Sequence, residues 1–220
     1  MDAAEISAVV LAVLTTVSGW WAQRERRRRK SAEEQRTHGA AQSRRLFNAL
    51  RGQSQVYGTL GRLREDIGAD RLLLLAAHNG GDQIEQVGTR LYISILAEVG
   101  GPGTPAVLQE WNARRVTRDY LGFLITLRRR KIFRLTVDEL SRDEHEHIRE
   151  VYERDGLACS LVIEVGTTRG KYWYLSASYR DPREFTDGDP EEMIEACSDL
   201  LDILQQDVLS SFVSIDNGEP

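Results

Sequence analysis

The chain has 220 residues, 29% charged and 41% hydrophobic, which is the composition of a folded domain with room for an appendage rather than of a disordered polypeptide. Its net charge of -5 is unevenly spread: residues 1–30 hold six of the 29 Lys and Arg and three of the 34 Asp and Glu, which leaves 23 basic against 31 acidic side chains, a net -8, on the rest. A body of that sign argues against nucleic acid as a partner, since phosphates require a basic face. The two cysteines, Cys159 and Cys197, are too few for a disulfide-built scaffold and match no zinc spacing.

The first element is an uncharged run of 18 residues from Ile6 to Gln23, near the lower limit of the roughly 17–25 residues that cross a bilayer as a helix. Thr15, Thr16 and Ser18 are tolerated there because their hydroxyls bond back to helix carbonyls. Trp20 and Trp21 suit the headgroup interface, being apolar bodies with a polar handle. A cleaved signal peptide would carry a basic leader, whereas Asp2 and Glu5 precede this run. Arg24, Arg26, Arg27, Arg28, Arg29 and Lys30 follow it. Basic residues beside a spanning helix are retained on the cytoplasmic side, and they attract anionic headgroups. The expectation is a single-pass inner or plasma membrane protein, amino terminus out and carboxyl domain cytoplasmic, with residues 1–30 as anchor and basic cluster.

Residues 31–67 read as one long helical stalk. Leu46, Leu50, Gln53, Tyr57, Leu60, Arg64 and Ile67 alternate steps of four and three, a heptad seam with polar interruptions, and Leu63 can replace Arg64 in it. Gly52, Gly58 and Gly61 weaken the helix by about 1 kcal/mol each relative to alanine. Two uses of such a stripe are open at this point: packing on its own domain, or a parallel homodimer.

A domain then spans 68–213, with a tail over 214–220. Arg71 to Ala77 is a continuous apolar run after its first residue, as expected of a strand buried on both faces. His78-Asn79-Gly80-Gly81 is a turn signal, because Asn and Gly both accept positive φ. A second strand covers Arg90–Ala97, and the Gly- and Pro-rich 100–105 is a loop. Residues 107–116 are compatible with a short strand. Tyr120, Leu121, Leu124 and Leu127 recur at helical spacing over 119–129, and the basic 128–131 end suits the negative end of a helix dipole. A short strand covers 132–135. Ser141-Arg142-Asp143-Glu144 is a capping box that opens a helix to about Arg154. Strands over 158–165 and 172–179, joined by Gly166–Lys171, form a hairpin. In the last helix Asp189 is the expected N-cap and Pro190 the first helical residue. Its apolar stripe is Met193, Cys197, Leu200, Leu201, Leu204, Val208 and Phe212. Together these elements make an α+β domain with an antiparallel sheet packed by its first and last helices.

Few residues suggest chemistry. His145-Glu146-His147 looks metal-like, but residues two apart on a helix stand about 200° apart in azimuth, so both do not readily ligate one ion. Gly166–Lys171 is one residue short of a phosphate loop, has Tyr172 where Ser or Thr must meet magnesium, and leads into a strand instead of a helix. The acids of 181–192 lack the ligand order of a calcium loop and are explained by helix capping. No nucleophile elbow or paired carboxylates stand out, so no enzyme, cofactor or metal is expected. His78, polarised by its turn, is the one candidate for lining a pocket.

A helix running into Ala69-Asp70-Arg71, a buried strand and His78-Asn79-Gly80 resembles the opening of GAF-like domains. The closing hairpin, Phe185-Thr186-Asp187-Gly188-Asp189 and a final helix resemble their ending, so the likeness covers about residues 45–213. It implies a small-ligand sensor that dimerises through its terminal helices. The Asn-Lys and Phe-Asp-Glu signature of cyclic-nucleotide-binding members is absent, so the ligand stays open. A second resemblance is to phage T-type holins, which join one amino-terminal spanning helix to a globular domain ending in a Cys-bearing strand, an aromatic strand and a Cys-bearing helix. Cys159, Tyr172-Trp173-Tyr174 and Cys197 are the matching pieces. That resemblance implies a Cys159–Cys197 disulfide outside the cytoplasm, against the sidedness read from the basic cluster. The function expected first is a membrane-anchored, non-enzymatic sensory or regulatory module, its expected partners being a membrane with anionic headgroups, a second copy and an unknown small ligand. A holin-like lysis protein is the alternative.

Overall fold

The computed structural model describes residues 46–79, 91–140, 142–168, 170–186 and 188–206. The expected anchor, with Trp20, Trp21, Arg24, Arg26, Arg27, Arg28, Arg29 and Lys30, lies outside them. So do the start of the stalk, Gly80-Gly81, Ser141 of the capping box, Val208, Phe212 and the tail. Among the described residues no helix is long and apolar enough to cross a membrane.

Helix α1 covers 46–67. Strands β1 (Arg71–His78) and β2 (Tyr92–Gly100) follow, then the two-residue β3 (Arg114–Arg115), α2 (Arg118–Arg130) and β4 (Ile132–Thr136). A 3-10 turn at Val137–Glu139 leads to α3 (Arg142–Asp155), the hairpin of β5 (Cys159–Thr168) and β6 (Lys171–Tyr179), and α4 (Asp189–Gln205). The strands form one antiparallel sheet in the order β3-β2-β1-β6-β5-β4. The first and last long strands therefore meet in the middle. That position explains why every residue of β1, and all of β6 after Lys171, is buried: a central strand covered on both faces has no polar side to present.

Two apolar layers sandwich the sheet. On one face Leu72, Leu74 and Ala76 of β1, with Leu161 and Ile163 of β5 and Trp173, Leu175 and Ala177 of β6, pack with Val56, Leu60 and Leu63 of α1 and Met193, Cys197, Leu200 and Leu204 of α4. On the other, Leu73, Leu75 and Ala77, with Tyr172 and Tyr174, pack with Phe123, Leu124 and Leu127 of α2 and Ile148, Val151 and Tyr152 of α3. Alternation along β1 thus separates a helix-pair layer of terminal elements from a layer of internal ones.

Several expectations shift. The chain from Ala49 onward forms one compact unit, so the described turns of the stalk from that residue belong to the domain. The face of α1 that packs is Ala49, Gly52, Val56, Thr59, Leu60 and Leu63, one residue to the side of the expected seam. Leu46, Leu50 and Tyr57 of that seam are exposed, and Leu60 alone of its leucines is fully buried. Small Ala49 and Gly52 carry little hydropathy signal, so the larger exposed residues dominated the pattern. The short strand within 107–116 is confined to β3, with 108–113 in turns; the Glu98 carboxylate accepts the backbone N–H groups of Val107 and Leu108 and holds that loop on the sheet. Asp189 is not the N-cap but the first helical residue, after Gly188. Its carboxylate reaches back to accept from the Thr186 backbone N–H and hydroxyl and pairs with Arg183. At the end of α2, Arg128 and Lys131 do more than meet the helix dipole: both pair with Glu164 of β5.

The β5–β6 hairpin is as expected, with a bulge between Glu164 and Gly166. Gly166 sits at φ +146°, and a Cβ there would lie 3.1 Å from Leu201 Cδ1 of α4. Glycine at this point lets the last helix lie close on the sheet.

Candidate functional site

The layer under α2 and α3 is incompletely filled. A cavity of about 50 Å³ lies between those helices, the 107–111 loop and the sheet. Trp111, Tyr120, Phe123 and Tyr174 line it as aromatic walls. Trp111 meets Tyr120 edge-on at 5.4 Å between ring centroids, and Tyr120 meets Phe123 at 6.2 Å. These contacts hold the rings at the angles their quadrupoles favour, so the walls are preformed.

One end of the cavity is polar, and sheet register explains why. Arg71 is paired with Ser178 of β6, and Ser178 with Ser160 of β5. These three residues therefore form a polar row across β1, β6 and β5, at the end of the sheet where β1 begins. Arg71, Ser160 and Ser178 are 3%, 0% and 1% exposed. Helix α3 lowers two more polar groups onto the row. Asp155 accepts from Arg71 Nη1 at 2.8 Å, an ion pair whose side chains are 3% and 2% exposed. The Tyr152 hydroxyl donates to Ser160 Oγ at 2.8 Å, and Ser160 donates in turn to Ser178 Oγ at 2.8 Å. Arg154 Nε donates to the second Asp155 oxygen at 2.8 Å, and Arg154 also pairs with Glu110 at the surface.

Buried charges and polar groups are normally fully partnered. Here Arg71 Nε and the Tyr174 hydroxyl are buried without a hydrogen-bond partner, and both residues line the cavity. Burial pushes the Tyr174 phenol well above its ordinary value, with nearby Tyr120 adding to the effect. Burial likewise raises Tyr152, against the lowering pull of its bond to Ser160 and of Arg71. Both phenols keep their hydrogens at neutral pH. The site thus offers apolar walls and two unused donors in its lining, Arg71 Nε at the polar end and the Tyr174 hydroxyl on the strand pair level with Leu75.

The residues expected from sequence fall elsewhere. His78 ends β1 at the far side from Arg71 and does not line the cavity. Its Nε2 lies 2.9 Å from Ser94 Oγ, and its ring stacks on Tyr92. Burial and then Lys171 hold the imidazole below its ordinary value. Cys159 and Cys197 are free, buried thiols in the α1/α4 layer, on the opposite face from the cavity. Burial raises both, Cys197 to about 12. His147 is half-buried and bonds to Arg114 at 2.7 Å. No metal-ligating cluster occurs among the described residues.

The polar residues of the cavity were missed, although the sequence carries a signal for them. Arg71 opens an otherwise apolar buried run. In Tyr172-Trp173-Tyr174-Leu175-Ser176-Ala177-Ser178 the hydroxyl-bearing residues recur at every second position. On a strand buried on both faces, that spacing marks one polar stripe facing a helix layer.

No protein-family profile matches the chain, and no curated protein matches it. Solved structures do. The phycoerythrobilin-bound GAF domain from a cyanobacterial phytochrome superposes with a TM-score of 0.55 at 14% identity, over 75% of this chain and 91% of that one. The phycocyanobilin-bound GAF domain from a cyanobacterial phytochrome gives 0.53 at 14% identity, over 77% and 94%. A far-red cyanobacteriochrome photoreceptor gives 0.55 at 12% identity, over 82% and 98%. The fold is GAF-like: an antiparallel sheet between a terminal-helix layer and an internal-helix layer.

Proposed function

We propose that this chain is a non-enzymatic sensory or regulatory GAF-like module that binds a small molecule in the cavity beneath α2 and α3. The observation that carries the reading is that two residues lining an aromatic-walled cavity, Arg71 and Tyr174, each bury a donor without a partner, Arg71 Nε and the Tyr174 hydroxyl. Two of the similar structures hold bilins. A cavity of about 50 Å³ is far below the roughly 300–1,000 Å³ of drug-sized sites, so the molecule fitting here is much smaller. Residues 6–23 would tether the module to a membrane, with the basic cluster on anionic headgroups and the domain in the cytoplasm. The exposed Leu46, Leu50 and Tyr57 keep heptad spacing on α1 and would meet a second copy, so that occupancy is passed through the terminal helices.

The test is a thermal-shift screen of the full chain in detergent micelles against a metabolite library, repeated on the cavity-filling variant Ser176→Leu. Hits that stabilise the native chain and fail on the variant support the reading. An empty screen, or hits indifferent to the filled cavity, would overturn it. Sidedness is tested separately, with reporters active only inside or only outside fused to the carboxyl end. An outside signal would overturn the cytoplasmic placement and favour the holin-like alternative.

A further inference from the structure

We infer that the outward face of α2 is a docking surface for a membrane rich in anionic lipid, with Leu121 and Ile125 entering the headgroup region and Arg118 and Arg129 on lipid phosphates at either end. This goes beyond the tether proposed for residues 6–23, because it is read from the domain alone. Helix period sets the face. At about 100° per residue, Arg118, Leu121, Gly122, Ile125, Arg128 and Arg129 fall within about 120° of azimuth. All six are exposed, and the buried Phe123, Leu124 and Leu127 stand opposite. Leu121 and Ile125 are 45% and 46% exposed, and residues four apart on a helix form one contiguous apolar spot.

Charge identifies the partner. Residues 114–134 hold eight Lys and Arg and one acid, whereas the other residues of 31–220 hold 15 basic and 30 acidic side chains. An acidic domain thus concentrates positive charge on α2 and its two flanks. Glu164 answers two of these cations, Arg128 and Lys131, with one carboxylate whose side chain is buried, so the pairings leave the outward surface positive. Arg118, Arg129 and Arg130 make no ion pair with another described residue. Helix α3 bounds the surface on one side, since it packs beside α2 and exposes Glu146, Glu150 and Glu153. Docking is thereby turned toward the β4 edge, where Lys131 and Arg134 are exposed.

Two local explanations cover only part of this pattern. The helix dipole favours the arginines of the last turn, and charges guard an edge strand such as β4. Neither accounts for Arg118, the first residue of α2, where the dipole opposes a cation. Neither accounts for two large apolar side chains left in water between the basic ends. Basic residues flanking an apolar stretch on the outward side of a helix are the pattern of an interfacial helix. Arg118 and Arg129 stand about 16 Å apart along the axis, so both reach headgroups while Leu121 and Ile125 lie between them. Two apolar side chains are too little to hold the domain on a neutral bilayer, so anionic lipid is required: each basic residue near such a surface strengthens binding roughly fivefold. Nucleic acid suits the arginines but gains nothing from Leu121 and Ile125, since bases stack on aromatic side chains.

Gly122 gives the probe site, because it sits on this face and a side chain added there meets no atom within 4 Å. The full chain carrying Gly122→Cys is labelled with the fluorophore nitrobenzoxadiazole, the two native thiols being buried. It is reconstituted from detergent into vesicles of phosphatidylcholine alone, or of phosphatidylcholine and phosphatidylserine in equal parts. Ile194→Cys, at an exposed position of α4 across the sheet from α2, is the control. The expected result at position 122 is a blue shift and quenching by spin-labelled lipid on the anionic vesicles, both lost on phosphatidylcholine and in concentrated sodium chloride. Position 194 should not respond to lipid charge. Arg118→Gln with Arg129→Gln should lower the ratio of docked to undocked label roughly 25-fold. Leu121→Ser with Ile125→Ser should abolish the blue shift, with far-ultraviolet circular dichroism unchanged in both variants. Should the serine pair not fold, the arginine pair alone decides. Equal responses on the two vesicles, equal responses at 122 and 194, or no effect of the arginine pair would overturn the docking surface. A response at 122 to duplex DNA as large as that to anionic vesicles would overturn lipid as the partner in favour of nucleic acid. Flotation of the unlabelled chain on phosphatidylcholine vesicles reads the tether separately, so either membrane reading can fail without the other.

Discussion

Replacing Asp155 by alanine isolates the energetic centre of the cavity. The Arg71 side chain is 3% exposed and pairs with Asp155 Oδ2 at 2.8 Å. Without it a cation is left in an apolar layer with its Nε already unpartnered. Breaking a buried pair from one side costs about 3–5 kcal/mol, because the remaining charge is desolvated and uncompensated. With a urea slope of about 2 kcal/mol per molar for a domain of this size, the midpoint should fall by roughly 2 M. The double replacement Arg71→Met with Asp155→Leu removes both charges at similar volume. Such swaps are often neutral or stabilising, so its midpoint should stay within about 0.5 M of the native chain. The assay is urea unfolding of the full chain in detergent, followed by far-ultraviolet circular dichroism, with the two single variants completing the cycle. The reasoning is refuted if Asp155→Ala shifts the midpoint by less than about 0.5 M, because Arg71 would then be solvated through the cavity. A double variant as unstable as the single one would refute it equally, since the serine row and not the ion pair would then be what the change disturbs.

Three further outcomes follow from the same packing. Leu60→Ala, at a fully buried position of α1, should cost about 3 kcal/mol, while Leu50→Arg, at a 53% exposed one, should leave the unfolding midpoint within about 0.5 kcal/mol and convert a dimer to monomers in sedimentation. Because burial and Lys171 hold His78 below 6.5 in the folded chain, the unfolded state takes up the proton first; the histidine's contribution is complete above that value and declines as pH falls below it, down to the folded-state pKa. Melting temperature should therefore drop more steeply from pH 7 to pH 5 in the native chain than in His78→Asn, and equal slopes would exclude this histidine as the cause. Gly166→Ala should destabilise by about 1–3 kcal/mol, since φ is +146° and the new methyl would meet Leu201 at 3.1 Å; an unchanged melting temperature would show that α4 can lift away from the bulge.

The elements themselves were legible in the sequence because their signals are local. Hydropathy period placed β1, α2, β5, β6 and α4, and turn chemistry placed the hairpin between β5 and β6. A run such as Leu72–Ala77, apolar at consecutive positions, matches a strand covered on both sides. The order of those elements read as an α+β domain with an antiparallel sheet, and the segments around Ala69-Asp70-Arg71 and Phe185–Asp189 resembled the opening and ending of GAF-like domains. Tertiary structure alone decided which residues share the cavity. Arg71, Ser160 and Ser178 lie far apart in sequence and become neighbours through antiparallel register, and Asp155 reaches Arg71 across 84 positions only because α3 lies on that face. His78, a conspicuous residue in a conspicuous turn, ends on the other side of the same strand's length. Likewise the heptad of α1 prescribed a stripe, but the small Ala49 and Gly52 chose which side of it packs. Local periodicity is a property of one segment, whereas a site is a property of the distances between segments. Those distances are set by sheet register and helix packing, which no single stretch of chain contains.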